Sequence, residues 1–577
     1  MFAGEQRSLE TVSNPSAIPE PLRVSNAQAV AWSDSAELVI VGFGGAGVAA
    51  ALQAREGGVD VLAIDRFAGG GATAYSGGII YSGGTRFQRE AGFDDTADAM
   101  FRYLSAEGVP VKPETLRRFC EGSSADIDWL GRYGVPYSGR AYLGKVALPP
   151  EGYFLYYSGN EKHPDYAALA TPAPRGHRPA TRGFGGHLYY SALRDCALAA
   201  GVRVMRHAPV ERLVVDADGR VIGVEVSVIP QSAWAEHDRL YKRVKPWQPL
   251  SGKGAEKAIA KARLFERTFT DRRLIRAELG VLLSTGGFAY NLAMLSKARP
   301  EIGAAHRAIM RLGSMGCDGA GIRLAQSVGG AVDLMDRVFV GRGISPPDGL
   351  IEGVLVNAQG KRFVNEDVYI GLLGDAIAQQ PGGKAWLILP ARAFWKSFRW
   401  AIAPGWDQFL PFGIPALMNM LLGGTRRARS LKAIAAKCAI DADELARTIA
   451  AYDAAARDGR PDTLGKNADY VEPLGDGPYF ALNMALDNPF SLTPVFTLGG
   501  LKVDEESGAV ERADGSAIPG LYAAGRTAVG LCSLGYMSGM SIADTVFSGR
   551  RIGRTISALA DQFRGQSRRH QPGQATP

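Results

Sequence analysis

The chain has 577 residues, enough for two or more domains with complete cores. Apolar residues make up 46% and charged residues 21% of the chain, which is ordinary for a globular protein and excludes a disordered or fibrous one. The net charge is +7, the five cysteines form no Cys-x-x-Cys pair and the seven histidines show no metal-ligand spacing. We therefore expect free thiols in a reducing compartment and no bound metal.

No window approaches about 18 uninterrupted apolar residues. Residues 1–35 are polar, with scattered prolines and no apolar signal core. The sequence therefore predicts a mobile N-terminal arm over 1–35, no membrane-spanning helix, and the cytoplasm as the location.

The first predicted element after the arm is a strand, a tight glycine turn and a helix. Gly42, Gly44 and Gly47 occupy the three glycine positions of the dinucleotide fingerprint. These glycines allow a sharp turn, close approach of backbone to a pyrophosphate, and close packing of the helix on the strand. A second strand over 59–64 ends at Asp65, the position of a carboxylate that binds a ribose hydroxyl. The pattern favours a bound dinucleotide over a plain strand–helix–strand turn.

Residues 69–84 are rich in glycine, serine and threonine. Because this stretch also contains isoleucines and tyrosines, backbone laid against a ligand explains it better than a linker. Helical periodicity follows over 96–107 and 114–133, and strand patterns occupy 202–205 and 210–224.

A basic segment lies between predicted strands at 221–229 and 277–284. Residues 238–276 contain 12 Lys/Arg and 4 Asp/Glu, a local charge of +8. The segment is interpreted as an insertion, either a solvated loop with a helix or a patch for an anionic membrane surface or an acidic electron-accepting partner. Nucleic acid is the least favoured partner, since no binding motif accompanies the charge.

The second half of the chain changes in character and then returns to strands and glycines. A buried strand over 280–288 is followed by predicted helices such as 435–458 and an aromatic stretch over 386–406. Strand-and-glycine patterns return at 498–504 and 519–525, before a last helix over 538–559. We predict a dinucleotide-binding domain in two pieces with a second domain inserted between them. The predicted bounds are 36–290 for the first piece (with the basic insertion at about 236–277), 291–490 for the inserted domain, 491–565 for the second piece, and a disordered tail over 566–577.

Seven segments in this order resemble one family: residues 42–47, 76–78, 284–288, 317–321, 360–367, 498–500 and 520–525. The chain resembles the flavoprotein subunits related to succinate dehydrogenase and fumarate reductase, and within them the FAD-dependent 3-ketosteroid dehydrogenases. The resemblance implies an α/β fold, with a Rossmann-like FAD-binding domain in two sequence pieces and an inserted α+β substrate (capping) domain.

Two departures narrow the resemblance. Fumarate reductases of this pattern carry a histidine where this chain has Leu498, and an arginine near the last helix where it has residues 535–539. A dicarboxylate needs such cationic donors, so a less charged substrate is expected. Covalent attachment in the family uses a histidine at a position that falls within 72–75, where this chain has none, so we expect non-covalent FAD.

The Tyr-x-Ser-Gly at 536–539, together with residues 149–160 and 172–177, resembles the ketosteroid dehydrogenases that act between carbons 4 and 5. The expected reaction removes a proton from carbon 4 and a hydride from carbon 5 to flavin N5, and electrons pass to an external acceptor. The alternatives are a 3-ketosteroid 1,2-dehydrogenase, a flavin reductase of another activated alkene, and a non-catalytic electron-transfer flavoprotein.

The resemblance implies that Tyr536, Ser538 and Tyr369 are the catalytic hydroxyls. Ser538 with one tyrosine would form the proton path, and another tyrosine would polarise the ketone. The alternatives are that Tyr369 only packs and that Ser538 only caps the last helix. Arg362 is expected to form a structural ion pair with Glu366 or Asp367.

The N-terminus of the last helix would direct its N–H groups and positive dipole end at the flavin. The residues expected to bind FAD are Gly42, Gly44, Gly45, Ala46, Gly47, Asp65, Arg66, Thr73, Ser76, Gly77, Gly78, Thr285, Gly286, Gly287, Asp318, Gly319, Gly525, Arg526, Ser541 and Ile542. The role of Arg526 is open, because relatives often show Glu or Asn there. The apolar stretch 394–422 is either core of the inserted domain, or a steroid entrance or shallow membrane-contacting surface.

Overall fold

A computed structural model describes residues 16–244, 246 and 252–569. Its main feature is a nine-stranded sheet. Seven strands follow in the order Leu22–Arg23, Val210–Val215, Val221–Ser227, Arg272–Leu283, Asp34–Val41, Val61–Ile64 and Arg203–Met205. The other two are Ala517–Ala523, parallel to Arg272–Leu283, and Ala509–Glu511, which pairs with Ala517–Ala523. The chain therefore returns after the inserted segment to the centre of its first sheet, as the predicted fold class requires.

Helix Gly45–Glu56 is buried between this sheet and the last helix, Met540–Arg569. Small residues allow the close packing: a Cβ at Gly549 would lie 2.6 Å from the carbonyl oxygen of Ala46. This contact places the third turn of the last helix against the start of helix Gly45–Glu56.

The inserted segment forms smaller sheets with helices against them. One antiparallel sheet has the order Val354–Val356, Trp386–Pro390, Tyr479–Asn483 and Arg426–Ala428. Another pairs Pro494–Thr497 with Met310–Arg311 and Val338–Val340, so this strand packs with the inserted segment although the predicted boundary gives it to the FAD-binding domain. Its longer helices are Ile370–Ala378, Ala391–Ile402, Ile414–Leu422, Leu431–Cys438 and Ala442–Arg457.

The remaining elements connect these layers. A four-stranded sheet contains Ile80–Tyr81, Gly176–His177, Leu155–Tyr156 and Ala141–Tyr142, and a two-stranded one contains Val332–Asp333 and Gly500–Leu501. The other α-helices are Gly71–Tyr75, Arg86–Glu90, Ala97–Ala106, Pro113–Arg132, Pro164–Ala167, Gly186–Ala199, Trp234–Lys242, Gly252–Arg267, Leu292–Ala298, Pro300–Ala304, Ala320–Gln326 and Trp406–Gln408.

One predicted helix is wrong. The pattern over 435–458 predicts a single helix, but the chain breaks at Ala439, whose φ is 53°. Asp441 then starts a new helix by accepting the backbone N–H of Glu444. A left-handed alanine gives no sequence signal, because the same residue is a strong helix former.

Both ends of the chain are more ordered than predicted where the structure describes them. In the predicted mobile arm, Leu22–Arg23 adds a parallel edge strand beside Val214 and Val215, and the ring of Trp32 packs over Gly223. The last helix runs to Arg569 and so includes the first four residues of the predicted tail. Residues 1–15 and 570–577 lie outside the described residues. Within the described residues, the helices are too short or too polar to cross a bilayer.

Candidate active site

The fingerprint turn opens onto a cleft of about 280 Å³ at the carboxyl ends of the parallel strands. Gly42 has φ +99°, and a Cβ there would lie 2.6 Å from the carbonyl oxygen of Ser284. A Cβ at Gly47 would lie 2.2 Å from the carbonyl oxygen of Gly42. Both positions therefore exclude any side chain, as the fingerprint predicts.

The carboxylate of Asp65 supports this turn. It accepts the backbone N–H groups of Phe43 and Phe67, each at 2.8 Å. Burial raises the pKa of this carboxyl, and the backbone hydrogen bonds oppose that rise. Each carboxylate oxygen has two lone pairs, and Asp65 lines the cleft, so the predicted contact with a ribose hydroxyl stays a prediction that the geometry permits.

The predicted cofactor residues Arg66 and Asp318 are engaged with each other. The Arg66 guanidinium donates to both carboxylate oxygens of Glu266, at 2.7 and 2.8 Å, and to Asp318 at 2.9 Å. Although burial alone would raise it, Arg66 keeps the pKa of Glu266 below its usual value. Arg66 and Asp318 line the cleft, but their charged groups are paired with each other.

A second cavity of about 310 Å³ continues from the first. Ala72, Thr73, Arg526 and Thr545 line both, so the two form one elongated space. Among the described residues that line the second cavity, Arg526 carries the single charged side chain. Its guanidinium lies 5.1 Å from the ring centre of Phe496. We call this second space the catalytic cavity.

The predicted cofactor residues divide between the two cavities. The cleft is lined by Gly42, Gly44, Gly45, Ala46, Asp65, Arg66, Thr73, Thr285, Gly286, Asp318, Gly525 and Arg526. The catalytic cavity is lined by Thr73, Ser76, Gly77, Gly78, Arg526, Ser541 and Ile542. Gly47, Gly287 and Gly319 are not among the described lining residues of either; a Cβ at Gly287 would lie 2.2 Å from the Thr497 hydroxyl oxygen, so this glycine serves packing.

The three predicted catalytic hydroxyls meet in the catalytic cavity. The ring of Tyr536 packs edge-on against Phe339 and Phe496, with ring centres 5.1 and 5.0 Å away. Burial raises the pKa of Tyr536 to about 12, which a hydrogen bond with Ser541 partly offsets. Burial likewise raises the pKa of Tyr369 well above its usual value, and the Ser538 hydroxyl opposes this. Both phenols are therefore protonated at neutral pH.

A fourth hydroxyl joins this cluster. The Tyr156 hydroxyl lies 3.1 Å from the Ser538 hydroxyl oxygen, and the Tyr156 side chain is fully buried. Sequence reasoning missed this residue as a site residue. It lies in the segment 149–160 that carries the family resemblance, but several tyrosines of that segment had an equal claim.

Backbone contacts hold the predicted catalytic groups in place. The N–H of Ser538 donates to the carbonyl oxygen of Ser158 at 3.1 Å, and the Ser158 hydroxyl donates back to Ser538 at 2.9 Å. The N–H of Tyr369 donates to the side-chain oxygen of Asn160 at 2.7 Å. Residues 158–160 thus fix Ser538, which precedes the last helix, and Tyr369 of the inserted domain.

The structure also decides two smaller predictions. The last helix begins at Met540, so Gly539 and not Ser538 directly precedes it. Arg362 forms the predicted ion pair with Glu366, at 2.6 Å, and a further one with Asp462. Asp367 pairs instead with Lys145.

Comparison with known proteins agrees with this geometry. A family model described as "FAD binding domain" matches residues 37–542. The chain belongs to this FAD-binding family. Within it, the chain is 36% identical over 524 residues to the 3-oxo-5-alpha-steroid 4-dehydrogenase of Comamonas testosteroni, covering 89% of this chain and 97% of that protein. It is 25% identical to the 3-oxosteroid 1-dehydrogenase of Mycolicibacterium smegmatis, covering 89% and 98%.

A solved structure shows the same fold. The crystal structure of the 3-ketosteroid-delta4-(5alpha)-dehydrogenase of Rhodococcus jostii RHA1, in complex with 4-androstene-3,17-dione, matches with a TM-score of 0.75 at 30% identity. The match covers 93% of this chain and 99% of that chain. The predicted fold class, an α/β FAD-binding domain in two pieces with an inserted domain, is confirmed.

The two joined cavities of this FAD-binding protein fit FAD. The glycine turn and the N-terminus of helix Gly45–Glu56 suit a pyrophosphate, Asp65 suits a ribose, and the elongated space leads from there to the hydroxyl cluster. The ADP end would lie in the cleft and the reactive ring beside the catalytic cavity.

Proposed function

We propose that this protein is an FAD-dependent 3-ketosteroid dehydrogenase that introduces a double bond between carbons 4 and 5. The observation that carries the proposal is the cluster of Tyr536, Ser538 and Tyr369 in an apolar cavity that joins the FAD cleft. The 36% identity to a 3-oxo-5-alpha-steroid 4-dehydrogenase over most of the chain supports it.

The charge of the catalytic cavity favours a neutral ligand. Arg526 is the single charged group among its described lining residues, and Leu498 packs with Phe339 and Phe496 where fumarate reductases of this pattern carry a histidine. Two carboxylates brought into such a cavity would lose their hydration without enough donors to replace it. A steroid with a single ketone loses far less.

The hydroxyl cluster accounts for the proton chemistry. The Tyr536 phenol, protonated at neutral pH, donates a hydrogen bond to the 3-keto oxygen as charge develops there. The C4–H bond breaks and its proton goes to the Ser538 oxygen, which passes its own proton to the Tyr369 hydroxyl and onward to water. Each hydroxyl gives up one proton as it receives one, so none keeps a charge. FAD, when bound, supplies the acceptor for the hydride that leaves carbon 5.

Tyr156 is a positioning residue in this scheme. Its hydroxyl lies behind Ser538, and the Tyr156 side chain is fully buried and is not among the described residues that line the cavity. The hydrogen bond to Ser538 would orient the serine oxygen toward the substrate.

The reaction is tested by anaerobic addition of a saturated 5α-3-ketosteroid to the purified flavoprotein. The flavin absorbance near 450 nm should bleach, and the product should carry the 4,5 double bond. A 1,2 double bond in the product would assign the protein to the alternative position. No bleaching by any steroid, together with reoxidation of dithionite-reduced enzyme by fumarate, would contradict the proposal.

We propose that FAD is held non-covalently. No histidine is among the described residues that line either cavity, and residues 72–75 contain none. Acid precipitation should release all the flavin into the supernatant; flavin fluorescence that stays with the denatured band on a gel would show a covalent bond.

We also propose that the steroid enters from a membrane surface. Six large apolar side chains between residues 395 and 422 are exposed: Trp395, Ile402, Trp406, Leu410, Leu421 and Leu422, with Trp406 at 80%. The same segment contributes Pro411, Phe412, Pro415, Ala416 and Asn419 to the catalytic cavity. Steroids partition into lipid, and exposed Arg399, Arg426 and Arg427 suit anionic headgroups.

Sedimentation with lipid vesicles tests this surface. Vesicles with about 30% anionic lipid should carry the protein down, and Trp406→Ala with Leu410→Ser should abolish this. The control Phe563→Ala removes another exposed aromatic side chain, 65% exposed on the last helix, and should not change binding. Equal binding of both variants, or binding to a protein partner alone, would contradict a membrane surface. We propose that the electrons then pass from FAD to an external acceptor.

A further inference from the structure

The basic insertion lies over the cofactor cleft. Its helices Trp234–Lys242 and Gly252–Arg267 contribute Tyr241, Arg263, Glu266 and Arg267 to the cleft wall. The same cleft is lined by the fingerprint glycines and Asp65. The sequence-based interpretations, a solvated loop or a patch for a partner, did not foresee this position.

Ion pairs anchor the second of these helices to the body of the protein. They join Glu256 to Arg311 at 2.6 Å, Arg263 to Asp318 at 3.2 Å, and Glu266 to Arg66 at 2.7 Å. The three partners come from two distant segments of the chain, one that holds Arg66 and one that holds Arg311 and Asp318. Partly buried pairs of this kind fix geometry more than they add stability, and the three together hold the helix against the body of the protein.

The two faces of this helix differ. Ala255, Ala258, Ile259 and Ala262 are buried in a cluster with Tyr290, Met315 and Cys317. Lys257 and Lys261 are exposed to solvent, whereas the side chain of Arg263 is 17% exposed. Part of the basic excess therefore faces water and part faces the cleft.

Histidines tie the first helix to the second. His237, fully buried, lies 2.9 Å through its Nε2 from Glu266, and its Nδ1 lies 3.0 Å from Nδ1 of His207. The series of contacts His207–His237–Glu266–Arg66 thus starts outside the insertion, passes through both of its helices and ends at the residue after Asp65. The whole insertion is connected to the ribose end of the cleft.

We propose that this insertion is a cofactor-binding element in which Arg263, assisted by Arg267, contacts the anionic ADP part of FAD and retains the non-covalent cofactor. A guanidinium is the side chain best suited to pair with phosphate oxygens. The contact of Arg263 with Asp318 uses Nη2, and Arg263 lines the cleft. Arg66, whose donors are directed at Glu266 and Asp318, is a positioning residue. The inference rests on FAD binding and not on the steroid reaction.

The test compares cations on one helix. Arg263→Ala removes the charge at the cleft while Asp318 keeps Arg66 as its partner, and Lys261→Ala removes a charge from the solvent side. The dissociation constant of FAD is measured by fluorescence on serial dilution of the holoenzyme. It should rise at least tenfold in Arg263→Ala, two- to fivefold in Arg267→Ala, and stay within twofold in Lys261→Ala.

Competition separates a direct contact from general loosening. Excess ADP or riboflavin, which carries no phosphate, is added to each holoenzyme, and the concentration that displaces FAD is determined. In Arg263→Ala the affinity for ADP should fall by the same factor as that for FAD, whereas the affinity for riboflavin should be unchanged. Equal effects of Arg263→Ala and Lys261→Ala, or equal weakening of ADP and riboflavin, would overturn the proposal.

Arg267→Ala keeps the test decisive if Arg263→Ala does not fold, because Arg267 is an exposed side chain. An unchanged dissociation constant in that variant would then reject the proposal. A failure of the steroid reaction is distinguishable, since wild-type protein would retain FAD without bleaching.

Discussion

At the residue scale, the proposed dehydrogenation depends on the positions of the hydroxyl groups in the catalytic cavity and on whether they are protonated. Tyr536→Phe removes the proposed donor to the ketone. We expect kcat to fall by about 10²–10³-fold, the usual cost of losing one such donor, with the flavin absorbance unchanged. Steady-state turnover with a dye acceptor measures this. The control Tyr133→Phe removes a hydroxyl that donates to Glu56 and should keep wild-type turnover. If Tyr536→Phe also kept wild-type turnover, the Tyr536 hydroxyl would not be catalytic.

The raised pKa of Tyr536, about 12 because of burial, predicts the alkaline side of the pH profile. The donating form is the protonated phenol, which persists at every pH below that value. We therefore expect no loss of kcat/KM assigned to Tyr536 or Tyr369 between pH 7 and pH 10. A decrease in kcat/KM near pH 8 that is present in the wild type and absent in Tyr536→Phe would contradict the assignment.

Asp544 makes a residue-scale prediction about stability. It is 2% exposed in the last helix and accepts the N–H of Leu531. Burial raises its pKa from 3.8 to about 6, so the folded protein binds this proton more tightly than the unfolded chain, and stability from this group is lost as the pH rises from 4 through 6. Asp544→Asn should therefore stabilise the protein at pH 8 by about 2–3 kcal/mol. Denaturant unfolding at pH 8 and pH 4 measures this; a gain of equal size at pH 4 would contradict it.

How far the sequence predicts the site differs from residue to residue. Tyr536, Ser538 and Tyr369 follow from motif resemblance and do meet in one cavity. Tyr156 could not be predicted, because its place behind Ser538 depends on the pairing of Ser158 with Ser538 across 380 residues. The partners of Arg66 could not be predicted either, because the sequence around Arg66 does not indicate which Asp or Glu residues the fold brings to it.

At the scale of elements, the glycine turn is a test of the cofactor cleft. A Cβ at Gly47 would lie 2.2 Å from the carbonyl oxygen of Gly42, so Gly47→Ala must displace the turn. We expect purified Gly47→Ala to lose most of its FAD, measured as the ratio of flavin to protein absorbance. Gly122 lies in helix Pro113–Arg132 with nothing within 4 Å of its would-be Cβ. Gly122→Ala should keep full flavin content, and equal loss in both variants would rule out the turn as the cause.

Elements with strong periodicity were predictable, and elements fixed by tertiary contacts were not. The predicted helix over 96–107 is Ala97–Ala106, and that over 114–133 is Pro113–Arg132. In contrast, the arm strand Leu22–Arg23 is two residues long and exists because an edge of the sheet is available. The position of the insertion was the hardest feature to predict. Its charge count does not distinguish Lys261, which is exposed to solvent, from Arg263, which lines the cleft.

At the scale of the whole molecule, FAD bound in the cleft would join segments that are distant in sequence. Residues that line the cleft come from within 41–73, 208–211, 241–267, 284–286 and 314–324, and from 524–526 and 545 near the end of the chain. A ligand that binds only the folded form adds about 2.7 kcal/mol at 100 times its dissociation constant. Thermal unfolding should therefore shift upward by a few degrees between limiting and excess FAD. An unchanged midpoint would show that the cofactor does not join these segments.

The shared wall of the two cavities has a thermodynamic consequence. Ala72, Thr73, Arg526 and Thr545 belong to both ends of the space, so a ligand at one end alters the surroundings of the ligand at the other. Linkage is reciprocal: if bound FAD raises the affinity for steroid by some factor, bound steroid raises the affinity for FAD by the same factor. A supply of substrate would then lengthen the lifetime of the loaded enzyme, and starvation for steroid would favour return of FAD to the cellular pool.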